Sequence, residues 1–225
     1  MAEAIGQVLS FAVGVALSPV PIVGVVLMLG TPRARANGPA FVVGWVVAIL
    51  VVGGIVLAAA GGAGAHESGG PASWSSVLQL VLGVLLVGVA LRRWRGRPRD
   101  GEEGATPAWM RTVDRFTAVR SAALAAALVA VNPKNLLLVV GAAAAIAQTG
   151  AGTGPEVAAL AVFAVVASVG VAAPVVLYLA LGERSRRTLD GLREWMTANN
   201  AAIMATICLV IAAKLIGDGI SGLGG

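Results

Sequence analysis

The stretch that decides the fold is "VAVNPKNLLLVV", Val129 to Val140. It sets two asparagines, a proline and a lysine inside an apolar run. Pro133 has no N–H and interrupts any helical hydrogen-bond ladder that reaches it. Asn132 and Asn135 are then able to bond the freed carbonyls or a ligand. Lys134 falls about halfway through the apolar segment Val119–Gln148. An ammonium at the centre of a bilayer costs roughly 2.5–3.5 kcal/mol on insertion scales, and more in simulation. No acidic residue lies at comparable depth: Glu3 and Glu156 are near the outer ends of their segments, and Asp218 is near the end of the last one. Lys134 therefore snorkels, lines a wet cavity, or awaits an anion. The bland alternative is a proline kink carrying a hydrated lysine.

Composition makes the membrane the right frame. The chain has 225 residues, of which 58% are hydrophobic and 12% charged, with a mean hydropathy of +0.89. Soluble domains carry about 25% charged residues, so this chain cannot cover a water-facing surface. The net charge of +5 lies in connections between apolar runs, which argues against nucleic acid as a partner. The single cysteine, Cys208, excludes an internal disulfide. The single histidine, His66, sits in a glycine-rich connection, so no protein-built metal site and no cofactor is expected.

Six spans are expected, at about Ile5–Gly30, Pro39–Ala60, Ser73–Leu91, Val119–Gln148, Pro155–Leu181 and Asn200–Ile220. The first lacks a basic leader and carries Glu3, which favours a span over a cleaved signal. All fourteen arginines fall in or at the edge of the odd-numbered connections. "GGAGAHESGG" and "TGAGTG" carry none. The positive-inside rule then puts the arginine-bearing connections in the cytoplasm of an inner-membrane protein, with both termini outside. Two cytoplasmic stretches have an interfacial look: "GLREWMTANN", with Leu192, Trp195 and Met196, and "PAWMRTVDRF", with Trp109, Met110, Val113 and Phe116.

The two halves also resemble each other. "ALSPVPIVGVVLMLG" aligns with "AVNPKNLLLVVGAAA", which sets Ser18 opposite Asn132, Pro19 opposite Pro133, Val20 opposite Lys134 and Pro21 opposite Asn135. "NGPAFVV" aligns with "TGPEVAA" at nearly the same offset. Three spans per half is an odd number, so the second half must be inverted. The expected fold is all-α integral membrane: two inverted three-helix repeats (1–91 and 117–225) around a basic loop (92–116), with proline-broken helices 1 and 4. Such paired breaks mark the midplane binding site of transporters. The expected substrate-binding set is Ser18, Pro19, Pro21, Asn132, Pro133, Lys134 and Asn135. Lys214 and Asp218, one helical turn apart, read as an ion pair near the outer face or as part of a substrate path.

The residues "ALSPVPI", "GPAFVVGW" and "NPKNLLL" resemble the lysine-exporter (LysE) superfamily, and most closely its GAP/Sap branch of glycopeptidolipid- and sulfolipid-addressing proteins of mycobacteria and relatives. The resemblance spans the whole chain. It implies a role in moving envelope lipids, glycolipids or their precursors across the inner membrane. The partners it implies are an anionic lipid or glycolipid and the surrounding membrane lipids. Lipid-synthesis enzymes at the cytoplasmic face, and a homodimer, are further options.

Two other functions compete. An exporter of amino acids or small carboxylates would need an acid for the substrate amine, and none is central. A scaffold that docks lipid-synthesis enzymes would use the basic connections instead. A cavity open sideways to lipid favours the lipid transporter, a closed aqueous one the solute exporter, and a Lys134 packed against protein carbonyls, with no cavity, the scaffold. No nucleophile–base pair or nucleotide-binding loop suggests an enzyme.

Overall fold

The structure, a computed structural model, describes residues 2–62, 73–96 and 115–223. His66, Trp109, Met110, Val113 and most of the basic loop lie outside the described residues. The described residues are almost wholly helical and include no strand.

The first expected span is two helices, α1 (Ala2–Ala16) and α2 (Pro19–Leu29), bent by 46°. Pro19 and Pro21 cannot donate back to the carbonyls of Val15 and Leu17, so α1 stops, while a proline at the first helical position suits the start of α2. The long helix α3 (Ala34–Gly62) and α4 (Ser73–Arg95) follow. The fourth expected span is likewise divided, into α5 (Ala118–Ala130) and α6 (Pro133–Gln148), with a bend of 71°. Glycines at positive φ, Gly150 and Gly152, turn the chain into the long helix α7 (Thr153–Leu181). Gly182, at φ 55°, and a short 3-10 turn lead to α8 (Arg186–Ala198) and then α9 (Asn200–Leu223).

Four helices among the described residues are long and apolar enough to cross a membrane, or six segments if each bent pair is one span. The surface agrees with that reading. Val43, Val47, Val51 and Ile55 form an exposed stripe along one face of α3, and Val165, Val169 and Val176 do the same on α7. Apolar stripes of this size are not left to water. The chain is a multi-pass membrane protein.

Packing is reciprocal between the halves. The half-helix α1 packs on α7 and α5 packs on α3; α2 also meets α7, and α6 meets α3. α4 and α9 run antiparallel, since Gly219 lies against Ser76 and Leu80 while Gly83 lies against Ala212 and Ile216. Small residues let these backbones approach. The approach is closest at two seams. At Gly170 of α7 a Cβ would collide with the Ala16 carbonyl at the end of α1, and at Gly44 of α3 it would collide with the backbone of Ala122 on α5.

α8 qualifies the interfacial reading of its segment. Leu189 and Met196 are buried and Leu192 packs on the core, so this face is turned to the protein, chiefly α2. Trp195, 56% exposed, is on the outer side.

Candidate functional site

The two breaks meet. Lys134 is the second residue of α6, and its side chain crosses to the first break, where Nζ donates to Ser18 Oγ at 2.8 Å. Ser18 Oγ in turn donates to Asn135 Oδ1 at 2.7 Å. Asn135 Nδ2 donates to the Leu128 carbonyl at 3.1 Å, which lies in the last turn of α5. Helix ends leave such carbonyls without internal donors. One continuous chain of bonds therefore runs from Lys134 through Ser18 and Asn135 to the far side of the second break.

The two breaks are capped differently. Asn132 is extended and its Oδ1 accepts from the Lys134 N–H at 3.1 Å, an N-cap. Ser18 stands at the same place before α2 but makes no capping bond, because its hydroxyl is committed to Lys134 and Asn135. The alignment that sets Ser18 opposite Asn132 thus pairs positions with different tasks. Burial differs as well. Ser18, Pro19 and Pro21 are buried, whereas Pro133 is exposed and Asn132 half-buried. Val20, opposite Lys134 in the alignment, is half-buried, so the cation is present on one side only.

Lys134 and Asn135 are 0% exposed. None of the ion pairs among the described residues includes Lys134. A buried ammonium that bonds a neutral hydroxyl recovers part of its lost hydration and leaves its charge uncompensated. The N-termini of α2 and α6 converge on the same place and add their partial positive charge.

Lys214 and Asp218 form the expected i,i+4 ion pair on α9, with the ammonium 5.6 Å from the centre of the Phe11 ring. Among the described residues no hydrogen bond joins this pair to the breaks. Ser168, by contrast, turns its hydroxyl onto the Ala164 carbonyl at 2.6 Å and serves its own helix. Asn37 was not anticipated: it is buried, and its Nδ2 reaches the Phe116 carbonyl at 3.0 Å, tying the start of α3 to the approach of α5.

Two bent apolar helix pairs joined by a buried cation, in an otherwise membrane-spanning helical chain, define a polytopic membrane protein with a polar centre. The family model described as "Sap, sulfolipid-1-addressing protein" matches residues 8–221. The chain belongs to that family. No curated protein and no solved structure matches it.

Proposed function

We propose that the protein moves an anionic envelope lipid or glycolipid, or a precursor of one, across the cytoplasmic membrane, without chemistry of its own. The observation that carries this reading is Lys134: fully buried, bonded to Ser18 across both breaks, and without a carboxylate partner. A charge held there at such cost has a use, and a phosphate or sulfate headgroup supplies the missing counter-charge. The family's name refers to a sulfated lipid, which is consistent with that chemistry. The reciprocal packing of α1 on α7 and α5 on α3, with α4 antiparallel to α9, supports two inverted repeats that share one central site. In this reading the arginine-bearing connections face the cytoplasm and both termini face outward.

Lys134 is fully buried, which in this reading is an occluded form. A headgroup enters when the bond between Ser18 and Lys134 parts. The same enclosure favours a second reading, in which Lys134 is a structural latch and the protein a scaffold for lipid-synthesis enzymes. Export of the lipid in cells that carry Lys134→Met in place of the native protein separates the two. Loss of export at normal membrane abundance supports the anion site, and full export supports the latch.

A further inference from the structure

A cavity of about 420 Å³ lies beside the first break, between the end of α1, the middle of α7 and the inner face of α8. Ligand pockets span roughly 300–1,000 Å³. Small residues, Ala16, Gly170 and Ala173, line it with Pro174 beside them, and Thr188 is the sole polar side chain on its wall. Leu17 and Val169 line it and are 44% and 55% exposed, so the cavity opens through the apolar surface of the helices.

We propose that this groove holds one acyl chain of an anionic membrane lipid. The proposal rests on the lipid-moving reading above and adds where the chain goes. Three observations carry it. First, the opening is on the apolar surface, so the occupant comes from the bilayer, and the wall offers almost nothing polar for a headgroup or solute to bond. Second, the segment that closes one side of the groove, residues 183–194, carries four arginines against Glu183, Asp190 and Glu194, and this net charge of +1 suits a chain attached to an anionic headgroup. Third, Leu17 lines the groove and its neighbour Ser18 bonds Lys134. A chain in the groove thus lies one residue from the buried cation.

Inside a bilayer a chain gains no hydration energy by entering protein, because the lipid around it is as apolar as leucine. What it gains is dispersion contact in a void that the side chains do not fill. The groove therefore selects a chain by shape and does not bind it tightly.

The test uses the full-length protein in phosphatidylcholine nanodiscs doped with phosphatidylglycerol that carries a diazirine in one acyl chain. After irradiation, adducts are mapped by mass spectrometry. Adducts on residues 169–177 and 188–196 are expected to exceed those on the α3 stripe by about fivefold, a ratio worth roughly one kcal/mol of preference. Ala173→Phe fills the groove from an exposed position and should bring them down to the stripe's level. If that variant does not fold, Val169→Trp takes its place. Equal labelling of groove and stripe overturns the proposal, as does labelling that the filled groove leaves unchanged. Cross-links between two copies, or to the chain's own basic loop, would mean that protein occupies the groove and would overturn it too. Lys134→Met should keep the groove adducts. Groove adducts together with normal export by Lys134→Met would leave the chain site standing without the anion site. Absent adducts with failed export by Lys134→Met would do the reverse.

Discussion

Ser18 and Lys134 are 116 residues apart in the chain and are joined by one hydrogen bond of 2.8 Å, in which the ammonium donates. Each residue belongs to a different proline break. What opens one break is therefore felt at the other, and a ligand that takes the ammonium must take it from Ser18.

Lys134→Met tests the use of the charge. The substitution keeps much of the apolar stem and removes one hydrogen bond, worth about 0.5–1.5 kcal/mol. It also removes an uncompensated buried charge, and taking away such a charge is often neutral or stabilising. We predict an unchanged or raised melting temperature in detergent, with export reduced at least about tenfold, or roughly 1.4 kcal/mol. Lys134→Arg should be partly active, because a planar fork replaces a compact point charge. Normal export by Lys134→Met at normal abundance would sink the anion-site reading.

Ser18→Ala should behave in the opposite way. It leaves the Lys134 ammonium without its partner and Asn135 Oδ1 without a donor. Each orphaned buried group costs about 1–3 kcal/mol, more for a charged one. We predict a clear loss of thermal stability that Lys134→Met partly restores in the double variant, because the group left stranded is then gone. The measurement is a double-mutant cycle on melting temperature. Strict additivity of the two changes would mean that the bond carries no energy.

The prolines made both breaks legible in the sequence, because a missing N–H is a local property. How the breaks resolve was not legible. The bends of 46° and 71°, and the choice of Asn132 but not Ser18 as a cap, depend on what the freed groups find across the bundle. The alignment of "ALSPVPI" with the second break set Ser18 opposite Asn132, and the structure gives Ser18 to Lys134 and Asn135 while Asn132 caps its own helix. The long helices α3 and α7 were visible as apolar runs, but the face each turns inward was not, since uniformly apolar helices carry little periodicity. The α8 segment was seen as amphipathic. That its apolar face would seal against α2 was not, because amphipathicity alone does not say whether protein or lipid meets it.

Gly170 and Gly191 make a matched pair of controls. A Cβ at Gly170 would overlap the Ala16 carbonyl, whereas nothing lies within 4 Å of one at Gly191 on α8. We predict that Gly170→Ala costs about 1–3 kcal/mol or more by overpacking. Gly191→Ala should gain up to about 1 kcal/mol through helix propensity. Folded yield and unfolding in detergent–denaturant mixtures report both. Equal behaviour of the two variants would contradict the close contact of α1 with α7.

The orientation can be read by labelling. In a Cys208→Ser background, a cysteine at Thr153 should react with an impermeant maleimide added to intact cells, and one at Glu183 should react only after the cells are opened. The reverse pattern would turn the protein over in the membrane.

The two glycine seams determine which parts can travel together. Where Gly170 meets Ala16 and Gly44 meets Ala122, backbone lies on backbone with no side chain between to swing aside. Such a joint resists shear and permits little more than rocking about the point of touch. α1 is thus coupled to α7 and α5 to α3, and each coupled pair takes one member from either half of the chain. In the proposed transport cycle the moving bodies are therefore mixed levers, each borrowed from both halves, with the seams as their fulcrums. The polar tie between Ser18 and Lys134 is, in that reading, the catch that holds one lever against the other.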